Sequence, residues 1–180
     1  VTDVVIAGGD GTVNQVVAGL MDCDVNFGII PCGSGNGLAL AAKIPKQPEK
    51  ALNVVFNGKA IATDGFYVNG KFACMLCGLG YDAKVAHDFA NQPKRGLATY
   101  ARMAFTNFFS MKPHRFGLQL QSHNIETDAW FMSIANSNQF GNNFTIAPKA
   151  SLSDGLLDII IVSSKTKIGF VLKTLRQLAG

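Results

Sequence analysis

The sequence predicts an α/β layer at the N-terminus followed by a mainly antiparallel β domain. Three observations predict it. Over residues 1–58, apolar β-branched runs alternate with helical periodicity. A glycine-rich loop follows each of the first two apolar runs. Beyond residue 59 the rhythm changes to strand-like runs, and the first two flank Asn69-Gly70, the strongest short hairpin signal. The boundary is therefore expected near Lys59, separating residues 1–58 from residues 59–180.

The elements follow in order. Val4 to Ala7 is short and apolar, as in a strand covered on both faces. Val13, Val16, Val17 and Leu20 recur at i, i+3, i+4 and i+7, one face of a helix. Asn26 to Ile30 reads as a second buried strand, and Leu38 to Ala42 begins another helix. Pro48 suits the first position of a third helix, which stops at Asn57-Gly58. The two hairpin runs together extend from Ile61 to Gly80. Strands are also expected at His114 to His123, Glu126 to Ser137 and Gly155 to Ser164. A helix is expected from Leu97 to Met111, and an amphipathic helix from Lys165 to Leu178 closes the chain.

Composition bounds the function. The chain has 180 residues, 48% hydrophobic and 16% charged, which is globular rather than disordered. A net charge of +4 permits an anionic partner without requiring one, and no Lys/Arg block reads as a nucleic-acid arm. No apolar run is long enough to span a bilayer, and no signal peptide is evident, so a cytoplasmic location is expected. The chain begins on a strand at Val1 without a methionine and reads as an excerpt of a longer protein. Cys23, Cys32, Cys74 and Cys77 read as structural. Although Cys74 and Cys77 are spaced Cys-x-x-Cys, a continuous strand would send them to opposite faces.

The two glycine loops carry the chemistry. Neither Gly8-Gly9-Asp10-Gly11-Thr12 nor Gly33-Ser34-Gly35-Asn36-Gly37 has P-loop or Rossmann spacing. Glycines still let backbone amides converge on a phosphate, and Thr12 stands where free N–H groups open a helix. Ser34 and Asn36 can add a second set of donors, and two such loops suit a triphosphate. Asp10 would repel that triphosphate unless it meets a cation or an acceptor hydroxyl, which is the requirement of a kinase.

"GGDGTVNQVV" followed by "PCGSGNGLA" resembles the diacylglycerol kinase catalytic domain shared by bacterial lipid kinases, sphingosine kinases and ceramide kinases. "ATDGFYVNGKFACMLCGLGYDAKV", "RGLATYARMAF" and "APKASLSDGLLDIIIV" resemble later motifs of the same family, in order along nearly the whole chain. The resemblance implies an NAD kinase-like nucleotide fold that lacks its first strands here, ATP and Mg²⁺ as cofactors, and a lipid acceptor. It implies that Gly8, Gly9, Asp10, Gly11, Thr12, Val13 and Asn14 cradle phosphate, joined by Gly33, Ser34 and Asn36. Asp10 and Asp64 would be catalytic. Asp154, with the carbonyls of Ser151 and Leu156, would hold a structural cation, with Ca²⁺ as the alternative ion. A glutamate general base would lie beyond residue 180.

Other readings of the same residues stand beside these. Taken alone, Asp154-Gly155 is a turn before a strand and Asp64 a solvated strand residue. Asp82 and His87 read as surface residues. Leu97 to Met111, with Lys94, Arg95, Arg102, Lys112 and Arg115 around it, is either a core helix or the wall of a lipid pocket at a membrane face. Gly37 occupies a position where many bacterial members have aspartate. A lipid kinase making transient contact with the inner membrane face is the expected function, with a diacylglycerol-like acceptor ranked ahead of a sphingoid base. An NAD kinase-type enzyme with a soluble acceptor and a catalytically silent nucleotide-binding regulator are the alternatives.

Overall fold

A computed structural model describes residues 1–94, 96–142, 144–163 and 169. The expected helix at Lys165 to Leu178 and the basic Arg95 lie outside the described residues. Contacts divide the chain into two compact units, residues 1–77 with 135–158, and residues 78–134 with 159–180. The division is not one cut in the chain, because 135–158 returns to the first unit.

In the first unit, β1 (Asp3–Gly8) and β2 (Asn26–Pro31) pair in parallel, with Ile6 opposite Ile29. Between them runs α1 (Asp10–Leu20), followed after β2 by α2 (Gly37–Ala41) and α3 (Pro48–Asn57). Pro48 opens α3 as expected, because its missing N–H would have no partner in a first turn. The core gathers Ile6, Val13, Ile29, Leu38, Ala39, Cys74 and Leu152. Leu152 comes from the returning segment, so the core closes only when that segment docks.

β3 (Phe66–Val68) and β4 (Lys71–Ala73) form the expected hairpin, with Asn69 and Gly70 both at positive φ. Positive φ at both turn residues matches the right-handed twist of the strands. Residues 60–65 form no strand, so the first run begins only at Phe66. The strand expected through Cys77 is also broken: Cys74 and Met75 form a bend before β5 (Leu76–Gly80). Buried Cys74 still serves packing, and all four cysteines are free thiols.

The second unit contains a helix absent from the sequence reading, α4 (Tyr81–Ala90), followed by α5 (Leu97–Ser110). β6 (His114–Gln119) and β7 (Asn124–Ala129) pair antiparallel with Leu118 opposite Ile125. The run expected from Glu126 to Ser137 splits at Trp130 into β7 and β8 (Phe131–Ala135). β8 lies between β5 and β11 (Asp158–Val162) in a separate three-stranded sheet. β9 (Gln139–Gly141) and β10 (Phe144–Thr145) form a short pair in the first unit.

The core-helix reading of Leu97 to Met111 is corrected on one side. Phe105 and Phe109 are 66% and 64% exposed. The surface reading of Asp82 is corrected too. Its carboxylate sits half-buried, so close to Gly78 that a Cβ there would overlap it, and burial pushes its pKa up to about 6. His87 is on the surface as expected.

Candidate active site

The two glycine loops meet directly. A Cβ on Gly33 would lie 2.4 Å from the Gly9 Cα, and one on Gly9 would lie 2.9 Å from the Gly33 Cα. Carbon atoms settle at about 3.5–4.0 Å, so these glycines let two backbones touch. Gly141, at positive φ, packs on Gly35 in the same way. Gly8 faces the Thr12 side chain. Gly11 differs from all of these. Nothing stands within 4 Å of its missing Cβ, and Gly11 and Thr12 are exposed in the first turn of α1. Free N–H groups of a first turn point out of the helix, so this is the face onto which an anion can be laid.

Asp10 answers its apparent charge conflict within the protein. Its Oδ2 accepts the Gly37 N–H at 3.0 Å and its Oδ1 accepts the Leu38 N–H at 3.1 Å. The carboxylate thus bridges the start of α1 to the start of α2. Each oxygen keeps a further lone pair.

The other expected phosphate ligands divide into free and committed groups. The Val13 side chain is in the core, and its N–H donates to Gly9 C=O, which leaves it no donor for a phosphate. Asn14 accepts the Cys74 N–H and thiol and donates to Phe72 C=O, tying α1 to the end of β4. Asn36 is buried in the left-handed conformation, and its amide both accepts from Gly33 N–H and donates to Gly33 C=O. Both asparagine side chains shape the loops from behind. Ser34 is exposed, and its carbonyl accepts from Asn142.

Asp64 and the Asp154 turn come together. Asp64 donates its N–H to Leu152 C=O, and its Oδ2 accepts the Gly155 N–H at 2.7 Å. Asp154 caps its own turn by accepting the Leu156 N–H, while Ser151 Oγ accepts from Ser153. Gly155 takes positive φ, which glycine adopts without strain. Among the described residues no group of three or more His, Cys, Asp or Glu could hold a metal. A cation at Asp154 would therefore depend on carbonyl oxygens, which suit Mg²⁺ or Ca²⁺ rather than a soft metal.

Residues 1–68 match the model of the diacylglycerol kinase catalytic domain, and residues 76–180 match that of the YegS C-terminal NAD kinase beta sandwich-like domain. The chain belongs to the family of the YegS C-terminal NAD kinase beta sandwich-like domain, whose model covers more than half of it, and its first 68 residues match the diacylglycerol kinase catalytic domain. A relative from Citrobacter koseri, named "Probable lipid kinase YegS-like", is 31% identical over 98% of this chain and 62% of its own length. One from Enterobacter sp. with the same name is 32% identical over 91% of this chain and 57% of its own. The chain thus spans about three fifths of the length of these curated relatives. A crystal structure of a diacylglycerol kinase from Bacillus anthracis str. Sterne superposes with a TM-score of 0.74 at 20% identity, covering 98% of this chain and 58% of that one.

Gly37 is a crowded position for any side chain. Its Cβ would lie 2.8 Å from Met75 Cε and 3.0 Å from Gln139 C=O. The sequence reading also missed Asn136. Its Nδ2 donates to Asp64 C=O at 2.7 Å and to Cys74 C=O at 3.1 Å, and its own N–H donates to Met75 C=O. Through Cys74, Asn14 and Asn136 join α1 to Asp64 by consecutive hydrogen bonds. The run of side-chain amides in "NSNQFGNN" gave the available signal, since amides so dense beside an apolar strand suggest backbone anchoring. α4 was readable from Tyr81, Val85 and Phe89 at i, i+4 and i+8.

Proposed function

We propose that the full-length protein is an ATP-dependent lipid kinase that transfers the γ-phosphoryl group to a lipid hydroxyl, diacylglycerol-like in preference to a sphingoid base. The observation that carries this reading is the open face of Gly11 and Thr12, set against a glycine pair too tight for any side chain. Gly8 to Thr12 with Ser34 bind the phosphates through backbone amides and the two hydroxyls, while Gly33, its N–H held by Asn36, lets the second loop approach the first. Residues 1–58 serve the nucleotide and 59–180 the acceptor.

In the transfer, the acceptor oxygen bonds to the γ-phosphorus, the bond to the bridging oxygen breaks, ADP leaves, and the hydroxyl proton passes to a base. Asp10 keeps α2 and the second loop in register and presents its remaining lone pairs to the reacting groups. Asp64, anchored by Gly155 and Asn136, stands as the second carboxylate. Mg²⁺, when bound with ATP, neutralises phosphate charge and orients the γ-phosphoryl group. The Asp154 carboxylate with the Ser151 and Leu156 carbonyls would hold a structural Mg²⁺, with Ca²⁺ as the alternative. The protein works in the cytoplasm with transient contact at the inner membrane face.

The test is phosphate transfer from labelled ATP by the full-length protein, offered diacylglycerol, sphingosine, ceramide and NAD in turn. Labelled lipid is the expected product. Labelled NAD without labelled lipid replaces this reading with a soluble-acceptor kinase. ATP binding without any transfer replaces it with a nucleotide-binding regulator.

A further inference from the structure

The second glycine loop is gripped from outside by a residue that the phosphate-transfer scheme leaves unused. Asn142 follows β9 on the segment that returns to the first unit. It donates its N–H to Gly35 C=O at 3.0 Å and its Nδ2 to Ser34 C=O at 2.8 Å. Its Oδ1 faces the Lys46 ammonium at 3.5 Å, an orientation that keeps the NH₂ toward the loop. Gly141 and Asn142 both take positive φ, a backbone that glycine adopts freely and asparagine tolerates better than most residues. The curl lays Gly141 flat on the loop, where a Cβ would stand 2.8 Å from Gly35 Cα.

The grip sets the direction of the loop's donors. In a trans peptide the C=O and the following N–H point opposite ways. With the Ser34 and Gly35 carbonyls turned to Asn142, the N–H groups of Gly35 and Asn36 are turned away from it. Among the described residues neither N–H meets an acceptor. On the helix side, Asp10 holds the Gly37 and Leu38 N–H groups. Two adjacent amides are thus left unspent between two braces. Asn142 and Lys46 are themselves exposed, so water competes for their hydrogen bonds and the grip adds little to the stability of the fold. Its effect falls on the shape of the loop.

We propose that Asn142 is a positioning residue for the nucleotide phosphates: by holding the Ser34 and Gly35 carbonyls, it aims the amides of the second loop at the phosphate chain. The proposal rests on the nucleotide half of the lipid-kinase reading. It is read by binding rather than by transfer, so the two can fail separately.

The experiment is calorimetric titration of the full-length protein with MgATP, beside thermal unfolding of the free protein. Asn142→Gly keeps the positive-φ backbone and the N–H bond to Gly35, and removes only the side-chain grip. It is expected to weaken MgATP binding on the order of fivefold, the worth of one hydrogen bond, with the thermal midpoint unchanged. Asn142→Asp also tolerates this backbone, but sets a carboxylate against Ser34 C=O. It is expected to weaken MgATP binding by at least about tenfold, since a donor is replaced by a repelling acceptor. Asn142→Asp gains an ion pair with Lys46, so a merely structural role predicts the opposite order: a stable protein that binds MgATP well. Either variant binding MgATP as wild type does overturns the proposal. So does a loss of affinity that both variants match with a loss of thermal midpoint. Wild type that binds MgATP but labels no lipid overturns the kinase reading, and the two variants still decide this one. Wild type that binds no MgATP overturns both.

Discussion

Replacing Gly33 by alanine perturbs the point where the two glycine loops touch. The added Cβ would lie 2.4 Å from Gly9 Cα, 2.9 Å from Asn36 Oδ1 and 3.3 Å from Gly9 N. Carbon–carbon contact needs about 3.5 Å or more, so the loops must part by about 1 Å. No side-chain rotation relieves this, because the nearest atom is backbone. Overpacking of this kind costs about 1–3 kcal/mol, and moving Gly33 also strains the two hydrogen bonds of the Asn36 clamp, each worth about 1 kcal/mol. A loss of about 2–4 kcal/mol is expected. Gly11→Ala is the matched control. Its Cβ meets nothing, and alanine in a helical turn is neutral or stabilising by about 0.4–1 kcal/mol. Yet that Cβ would stand on the open face assigned to phosphate. The assay is urea unfolding of the full-length protein with and without MgATP. Gly33→Ala is expected to lower stability without nucleotide, whereas Gly11→Ala is expected to keep it and lose most of the MgATP stabilisation. A Gly33→Ala protein within about 0.5 kcal/mol of wild type would refute the packing argument. A Gly11→Ala protein stabilised by MgATP as fully as wild type would refute the phosphate face.

Asp10→Asn can accept only one of the two amides and turns its NH₂ toward the other. It is expected to cost about 2 kcal/mol in stability and at least about a hundredfold in turnover; turnover near normal would reduce Asp10 to a loop brace. Asp82 has a folded pKa above the ordinary carboxylate value, so the folded state favours its protonated form. The penalty is absent below about pH 4 and grows as pH rises through about 6. Asp82→Asn is therefore expected to stabilise the protein at pH 7–8, by on the order of 2 kcal/mol, and to change little at pH 4; denaturation midpoints across this range decide it, and an equal effect at both ends counts against burial as the cause. Burial pushes the Cys74 thiol up to about 11, with Asp10 adding to the shift, while Cys23 and Cys32 are exposed. Brief iodoacetamide treatment at pH 8 is expected to label Cys23 and Cys32 and spare Cys74 by mass spectrometry; rapid labelling of Cys74 would place it outside the core. Asn136→Leu removes the amide held by Asp64 and Cys74 carbonyls and is expected to cost about 2–3 kcal/mol in urea unfolding, with no loss meaning that those carbonyls find other donors.

Short-range features of the sequence determined the first 58 residues almost element by element, and the hairpin after them. The apolar runs, the i, i+3, i+4 spacing of α1, Pro48 at the head of α3 and the Asn69-Gly70 hairpin all act over a few residues, and chain geometry alone reads them. The family motifs were legible for the same reason, as spellings in order along the chain. What the site residues do depended on partners distant in sequence. Asp10 is defined by Gly37 and Leu38, Asn14 by Phe72 and Cys74, Asp64 by Gly155, and Gly9 by its contact with Gly33. No local rule tells a glycine that admits phosphate, such as Gly11, from one that admits another backbone, such as Gly33. Asp82 illustrates the same limit, since its charge state follows from burial, and burial is created only when α4 packs. The return of residues 135–158 to the first unit is likewise a tertiary decision: Leu152 completes a core whose other members lie more than 70 residues earlier, and Asn136 meets backbone carbonyls that only that docking brings within reach.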